Sequence, residues 1–146
     1  FASTAHAEIT TKAGRRYAKP QEGDEVLNVV ACNDDDTVVA ATKDGYVLHC
    51  KADEIAKLEN PGRGVTVIKT GDDDHVIGFI AGRKADVMTI ETEKSGKKFP
   101  LAADPKQVKS RGGKGHQVMK RVTFVVVPTP VTIQPLANAE GGKGVN

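Results

Sequence analysis

The sequence predicts an all-β fold assembled from repeated four-stranded units. Three observations carry this reading: a strand-favouring aliphatic composition, an internal repeat of about 51 residues, and hairpin signals at matching places in each copy. The chain has 146 residues with no Trp, four Phe and two Tyr, so aliphatic side chains must fill the core, and its Val and Thr favour extended backbone. No apolar run approaches the roughly 20 residues that cross a bilayer. No basic-then-apolar leader is visible either, so the chain is expected in the cytoplasm, without a membrane partner. Phe1 in place of Met suggests a fragment, hence a partial set of units.

Sliding the chain by 51 residues brings Asp35 onto Asp86, Lys43 onto Lys94, Gly45 onto Gly96 and Ala52-Asp53 onto Ala103-Asp104. Gly62-Arg63-Gly64 then falls on Gly113-Lys114-Gly115, and Val67 and Lys69 on Val118 and Lys120. A shift shorter by one is needed to bring Val26 onto Val76. A partial copy precedes these: Ala13 to Val26 resembles Pro61 to Val76, two residues shorter.

Strands are predicted at 26–30, 37–42 and 46–50 in the first copy, with Lys43-Asp44-Gly45 as the hairpin turn. The second copy places them at 65–69, 76–80, 87–92 and 97–101, the first two flanking Gly71-Asp72-Asp73-Asp74. After the last strand of each copy, Asp53 and Asp104 are expected to cap a short helical turn, the second with Pro105 at its first position. Four strands in about 50 residues is the size of a propeller-type blade. Residues 1–127 are read as the blade domain, with repeat turns near 13–19, 62–69 and 111–120. Residues 128–146 form a Pro/Gly-rich tail beyond an edge strand, since Pro128, Pro130 and Pro135 discourage pairing. Its Gly141-Gly142-Lys143-Gly144 is out of phase with the repeat.

Charge is unevenly placed. From Lys94 to Arg121 nine basic residues face a single acid, Asp104, while residues 22–54 hold nine acids against Lys43 and Lys51. One positive region suffices to attract a polyanion whatever the total charge. Its centre is Lys109-Ser110-Arg111-Gly112-Gly113-Lys114-Gly115, a basic glycine turn that recurs weakly at Arg63 and at Arg15-Arg16. Lys19, Lys69, Lys120 and Arg121 leave the same turns. Equivalent turns on one rim would present spaced cations to duplex DNA, and glycine N–H groups can cradle anions. Such contacts position a duplex through its backbone and favour bending. A solvated tight turn is the alternative for any one such run.

Other chemistry finds little support. A nucleotide P-loop would need its first glycine at Val108 and Ser or Thr at Gly115. Asp34-Asp35-Asp36 and Asp72-Asp73-Asp74 lack the spaced ligands of a calcium loop, and read as solvated turns. Cys32 and Cys50 have no CxxC spacing and read as buried reduced thiols, and the spacing of His49, Cys50 and His116 supports no metal site. No catalytic constellation stands out, so the isolated chain is not expected to be an enzyme. A protein-interaction propeller or a small RNA-binding β-barrel are the rival readings; few aromatic residues argue against single-strand binding.

The residues Arg111-Gly112-Gly113-Lys114-Gly115 resemble the last five positions of the basic glycine box, QRRGGKG, of the C-terminal DNA-wrapping domains found in the A subunits of bacterial type IIA topoisomerases (DNA gyrase and topoisomerase IV). Lys109 and Ser110 stand where that family has Gln and Arg. Residues 60–79 resemble its weaker inter-blade pattern, and residues 3–19 an upstream turn of that kind. The resemblance implies a β-pinwheel, whose blades exchange strands and whose basic rim wraps duplex DNA. It implies DNA contacts at Arg111 to Gly115, and more weakly at Arg63 and Arg15. For the whole enzyme it further implies a cleavage core on the same polypeptide, together with an ATPase (B) subunit, ATP and Mg, with no cofactor in this portion.

Overall fold

The computed structural model describes residues 18–58 and 62–128. Among these there is no α-helix. Seven strands follow one another: β1 (Thr37–Thr42), β2 (Tyr46–Lys51), β3 (Val76–Gly82), β4 (Val87–Thr92), β5 (Lys98–Ala102), β6 (His116–Gln117) and β7 (Phe124–Val126). They form two antiparallel sheets, ordered β3-β1-β2-β6 and β5-β4-β7. The all-β, propeller-like architecture expected from the repeat is therefore present.

The grouping of strands differs from the linear reading. β3 belongs by sequence to the second copy, yet it pairs with β1 of the first, Val39 opposite Ile80 and Ala40 opposite Phe79. β7 pairs with β4 in the same manner, Thr92 opposite Phe124. Each sheet thus borrows a strand from further along the chain. This explains two corrections. Residues 26–30 form no strand and leave Val26, Leu27 and Val29 exposed. Residues 65–69 form none either; they make a single bridge at Ile68. A strand in either place needs the edge of a preceding sheet, and none lies among the described residues.

The repeat is visible in hydrogen bonds. The Asp36 carboxylate accepts from Asn33 N–H at 2.7 Å, and Asp86 from Arg83 N–H at 2.8 Å. The two aspartate carbonyls accept from Ala52 N–H and Ala103 N–H, each at 2.9 Å. Asp86 therefore corresponds to Asp36, not to Asp35, whose carboxylate lies outside against Arg83 at 3.4 Å. The extra residue sits in the second hairpin. Thr42 Oγ1 accepts from Tyr46 N–H four positions on, whereas Thr92 Oγ1 accepts from Lys97 N–H five positions on.

Both threonines are buried, and these bonds offset the cost of burying a hydroxyl. Asp104 caps the 3-10 turn Pro105–Gln107 as expected, accepting from Lys106 N–H at 3.0 Å. Asp53 is not a cap. Its turn runs from Ala52 to Glu54, so Asp53 lies inside it and Lys51 takes the capping position without a side-chain bond.

β1 is buried along its whole length. One face, Val39 and Ala41, meets Val47, Met88, Ile90, Leu101 and Phe124, and so joins the two sheets. The other face packs Val38 near Cys50 and Ile55, and Ala40 on Leu48 and Ile68. A strand with two buried faces reads as a continuous apolar run rather than an alternation, which fits TVVAAT. Phe124, 1% exposed, contributes about 2 kcal/mol by removal from water and stacks edge-on to Phe99 at 5.6 Å. Cys32 and Cys50 are free thiols, but only Cys50 is buried as expected, Cys32 being half-buried in a segment that forms no strand; burial pushes the Cys50 thiol up to about 11.

Candidate nucleic-acid interface

The basic glycine turn lies between the 3-10 turn at Pro105–Gln107 and β6. Its backbone is tied on three sides. Lys109 N–H donates to His49 O at 2.7 Å, Gly112 N–H to Val67 O at 2.7 Å, and Gly113 O accepts from Lys69 N–H at 2.8 Å. β6 then pairs with the outer edge of β2, His116 opposite Val47 and Gln117 opposite Tyr46. Gly115, at φ +75°, is where the turn meets that edge; a Cβ would overlap the Val47 carbonyl. The glycine is there for close backbone approach as well as for its left-handed angle.

The two box cations have different surroundings. Arg111 is half-buried, and its guanidinium donates through Nη1 to Thr66 O at 2.8 Å and through Nε to Glu54 O at 3.2 Å. Its backbone N–H also donates to the Glu54 carboxylate at 3.1 Å. Arg111 thus clamps three chain segments together while keeping further N–H donors uncommitted. Lys114 is exposed, and its ammonium lies 4.7 Å from the centre of the Tyr46 ring. That contact steadies the cation without neutralising it. The sequence reading missed Glu54, Thr66 and Tyr46 as partners, because they stand 45 to 68 residues away in the chain.

The turns are joined to one another. Lys19 N–H donates to Gly62 O at 2.9 Å, as Lys69 N–H does to Gly113 O, and parallel bridges link Ala18 with Gly62 and Ile68 with Gly113. Successive linking segments are therefore bonded side by side, each to the next. Lys19, Arg63, Lys69, Lys109, Lys114, Lys120 and Arg121 are all exposed. Arg15 and Arg16 lie outside the described residues.

A second relation concerns the hairpin tips. Lys43 N–H donates to His75 O at 2.9 Å, and Glu93 N–H to Thr123 O at 2.8 Å, so the segments ending at His75 and at Thr123 hold equivalent places. The first is Asp72-Asp73-Asp74; the second is Lys120-Arg121-Val122. Charge is inverted between them. Lys43 Nζ rests on Asp73 O at 2.6 Å in the first, while Arg121, at φ +62°, opens with Lys94 and Glu93 onto a cleft of about 490 Å³ in the second. His49, 3% exposed, joins the two sheets through Nε2 and Ala102 O at 3.0 Å; burial, with His116 nearby, lowers its pKa, while Ala102 O and Asp104 act in the opposite direction. Among the described residues no three His, Cys, Asp or Glu gather where they could hold a metal.

A family model described as DNA gyrase C-terminal domain, beta-propeller, matches residues 36–81, which span β1, β2 and nearly all of β3. Over 77% of its length the chain is 32% identical to the DNA gyrase A subunit of Aminobacterium colombiense and 31% identical to that of Deinococcus deserti. The chain belongs to the C-terminal domain family of type IIA topoisomerase A subunits. It spans about a seventh of each of these relatives, 14%. A crystal structure of the C-terminal domain of DNA topoisomerase IV shares the fold, with a TM-score of 0.56 at 21% identity; the alignment covers 66% of this chain and 32% of that one.

Proposed function

We propose that this topoisomerase C-terminal domain binds duplex DNA along the border of joined basic turns and bends it there. The observation that carries the reading is the repeated bond, Lys19 to Gly62 and Lys69 to Gly113, which strings the turns in succession. Lys114, Arg63, Lys69, Lys109, Lys120, Lys19 and Arg121 supply exposed charge to phosphates; Arg111 fixes the shape of the box and offers its remaining donors. Arg15 and Arg16 would extend the series. The glycine N–H groups at Gly113 and Gly115 border the same path, while that of Gly112 is committed to Val67 O. The acidic turn at Asp72–Asp74 repels phosphate where Lys120-Arg121 attracts it, so the duplex is held toward the second sheet.

Contacts of this kind read the DNA backbone and its deformability rather than base edges. In the whole enzyme the bent segment would be presented to the cleavage core of the same polypeptide, in the cytoplasm. ATP and Mg would act there and on the B subunit, and the change in DNA topology would belong to the assembly. The test is a nicked circular duplex sealed by ligase with the protein bound. The expected outcome is a shifted distribution of linking numbers; an unshifted distribution at saturating protein contradicts bending or wrapping.

A further inference from the structure

We propose that the cleft between the tip of the second hairpin and the link before β7 is a seat for one phosphate group, which the duplex supplies from its backbone. The use of the seat by DNA rests on the reading above; the seat itself does not.

The first hairpin shows what such a tip holds. There the Asp74 carboxylate accepts from Asp44 N–H at 3.0 Å and from His75 N–H at 2.9 Å. An anion belonging to the chain thus closes the hairpin tip. Counted back from the equivalent bonds of His75 and Thr123, Asp73 corresponds to Arg121 and Asp74 to Val122. The link over the second tip therefore brings no carboxylate. Lys94 and Ser95 follow Glu93 as Asp44 follows Lys43, and among the described residues neither backbone N–H meets an acceptor. Backbone N–H groups beside cations favour an oxyanion through charge-assisted hydrogen bonds.

The walls supply the cations. Arg121 and Lys94 line the cleft of about 490 Å³ together with the Thr123 side chain. Both cations are exposed, and among the described residues neither makes an ion pair. Two carboxylates also border the cleft, Asp44 half-buried and Glu93 exposed, and neither is paired with Arg121 or Lys94. They limit the affinity of the seat, and Glu93 is the one that a substitution can remove without touching the first hairpin.

The backbone singles out Arg121. Among the described residues it is the one non-glycine residue at positive φ, +62°. A side chain is strained at that angle, whereas glycine is not. The angle is held from both ends, because Val118 N–H donates to Gly45 O at 2.9 Å and Phe124 N–H to Lys43 O at 2.8 Å. The fold thus carries an arginine where its backbone favours glycine, and that arginine lines the cleft.

The experiment follows the backbone amides of the full 146-residue chain, first with inorganic phosphate at constant ionic strength and then with a duplex. Phosphate should shift the Lys94 and Ser95 amides saturably. Arg121→Gly should abolish those shifts at an equal or higher urea midpoint, because it relieves the backbone angle. Glu93→Gln should bring saturation at lower phosphate. With the duplex, the same amides should shift, and Arg121→Gly should weaken binding about three- to tenfold with a salt slope shallower by about 1. Saturable phosphate shifts without any duplex binding would support the seat and contradict the DNA reading. Shifts that fail to saturate, or that survive Arg121→Gly, overturn the seat. A duplex that binds while the Lys94 and Ser95 amides stay unmoved overturns its use by DNA.

Discussion

Lys69 donates its backbone N–H to the carbonyl of Gly113 at 2.8 Å, and that one bond joins two successive basic turns. Since Lys19 makes the same bond to Gly62, the spacing of the cations is set by main chain rather than by flexible side chains. Substitutions in the box should therefore separate into those that alter the border's shape and those that alter only its charge.

Lys114→Ala belongs to the second kind. Its ammonium touches only the Tyr46 ring among the contacts described, so loss of stability is expected to stay within about 1 kcal/mol. Duplex affinity should fall, and the slope of log K against log salt should become shallower by about 1. Chemical denaturation and a fluorescence titration check the two halves separately.

Arg111→Ala belongs to the first. It removes two charged hydrogen bonds to carbonyls, and a loss of about 1–2 kcal/mol is expected from a urea midpoint. Arg111→Lys should restore little of it, because an ammonium cannot span Thr66 and Glu54 as the planar fork does.

Gly115→Val tests the close approach of β6 to β2. The overlap with Val47 and the left-handed backbone angle act together, and a destabilisation of about 2–4 kcal/mol is expected. Scanning calorimetry reads it directly. Gly64→Val has the same backbone angle but open space around it, and should cost less.

Stability should also depend on pH through His49. Its pKa lies below the ordinary 6.5 in the folded chain, so on acidification the unfolded chain takes up the proton first. The stability present above about pH 6.5 is lost as pH falls toward the lower folded value. Thermal midpoints at pH 7.5 and 5.5 should show the drop, and His49→Gln should reduce it.

The blade repeat, most strands, the Asp104 cap and the basic turn were legible because each is written in local sequence. The register was less so. Gly45 with Gly96 and Ala52 with Ala103 fix one shift, and this hid the extra residue of the second hairpin, so Asp35 was matched where Asp36 belongs. Strands at 26–30 and 65–69 have the right residue types, but an extended segment becomes a strand only beside a partner edge. The Arg111 clamp was illegible for a related reason: Thr66 and Glu54 reach it only after the chain has folded. The inverted charge at Lys120-Arg121 was likewise hidden, since the link before β7 is shorter than the one before β3.

The central claim, that the joined cationic turns grip duplex DNA through its phosphates, is tested most directly by titrating a duplex at several salt concentrations. The chain and a variant with Arg63, Lys69, Lys114 and Lys120 changed to Gln should be compared. The account expects a slope of about −0.9 per phosphate neutralised for the chain, and a slope shallower by about 4 for the variant at unchanged stability. Binding that ignores salt, or a variant that binds as the parent does, would contradict it.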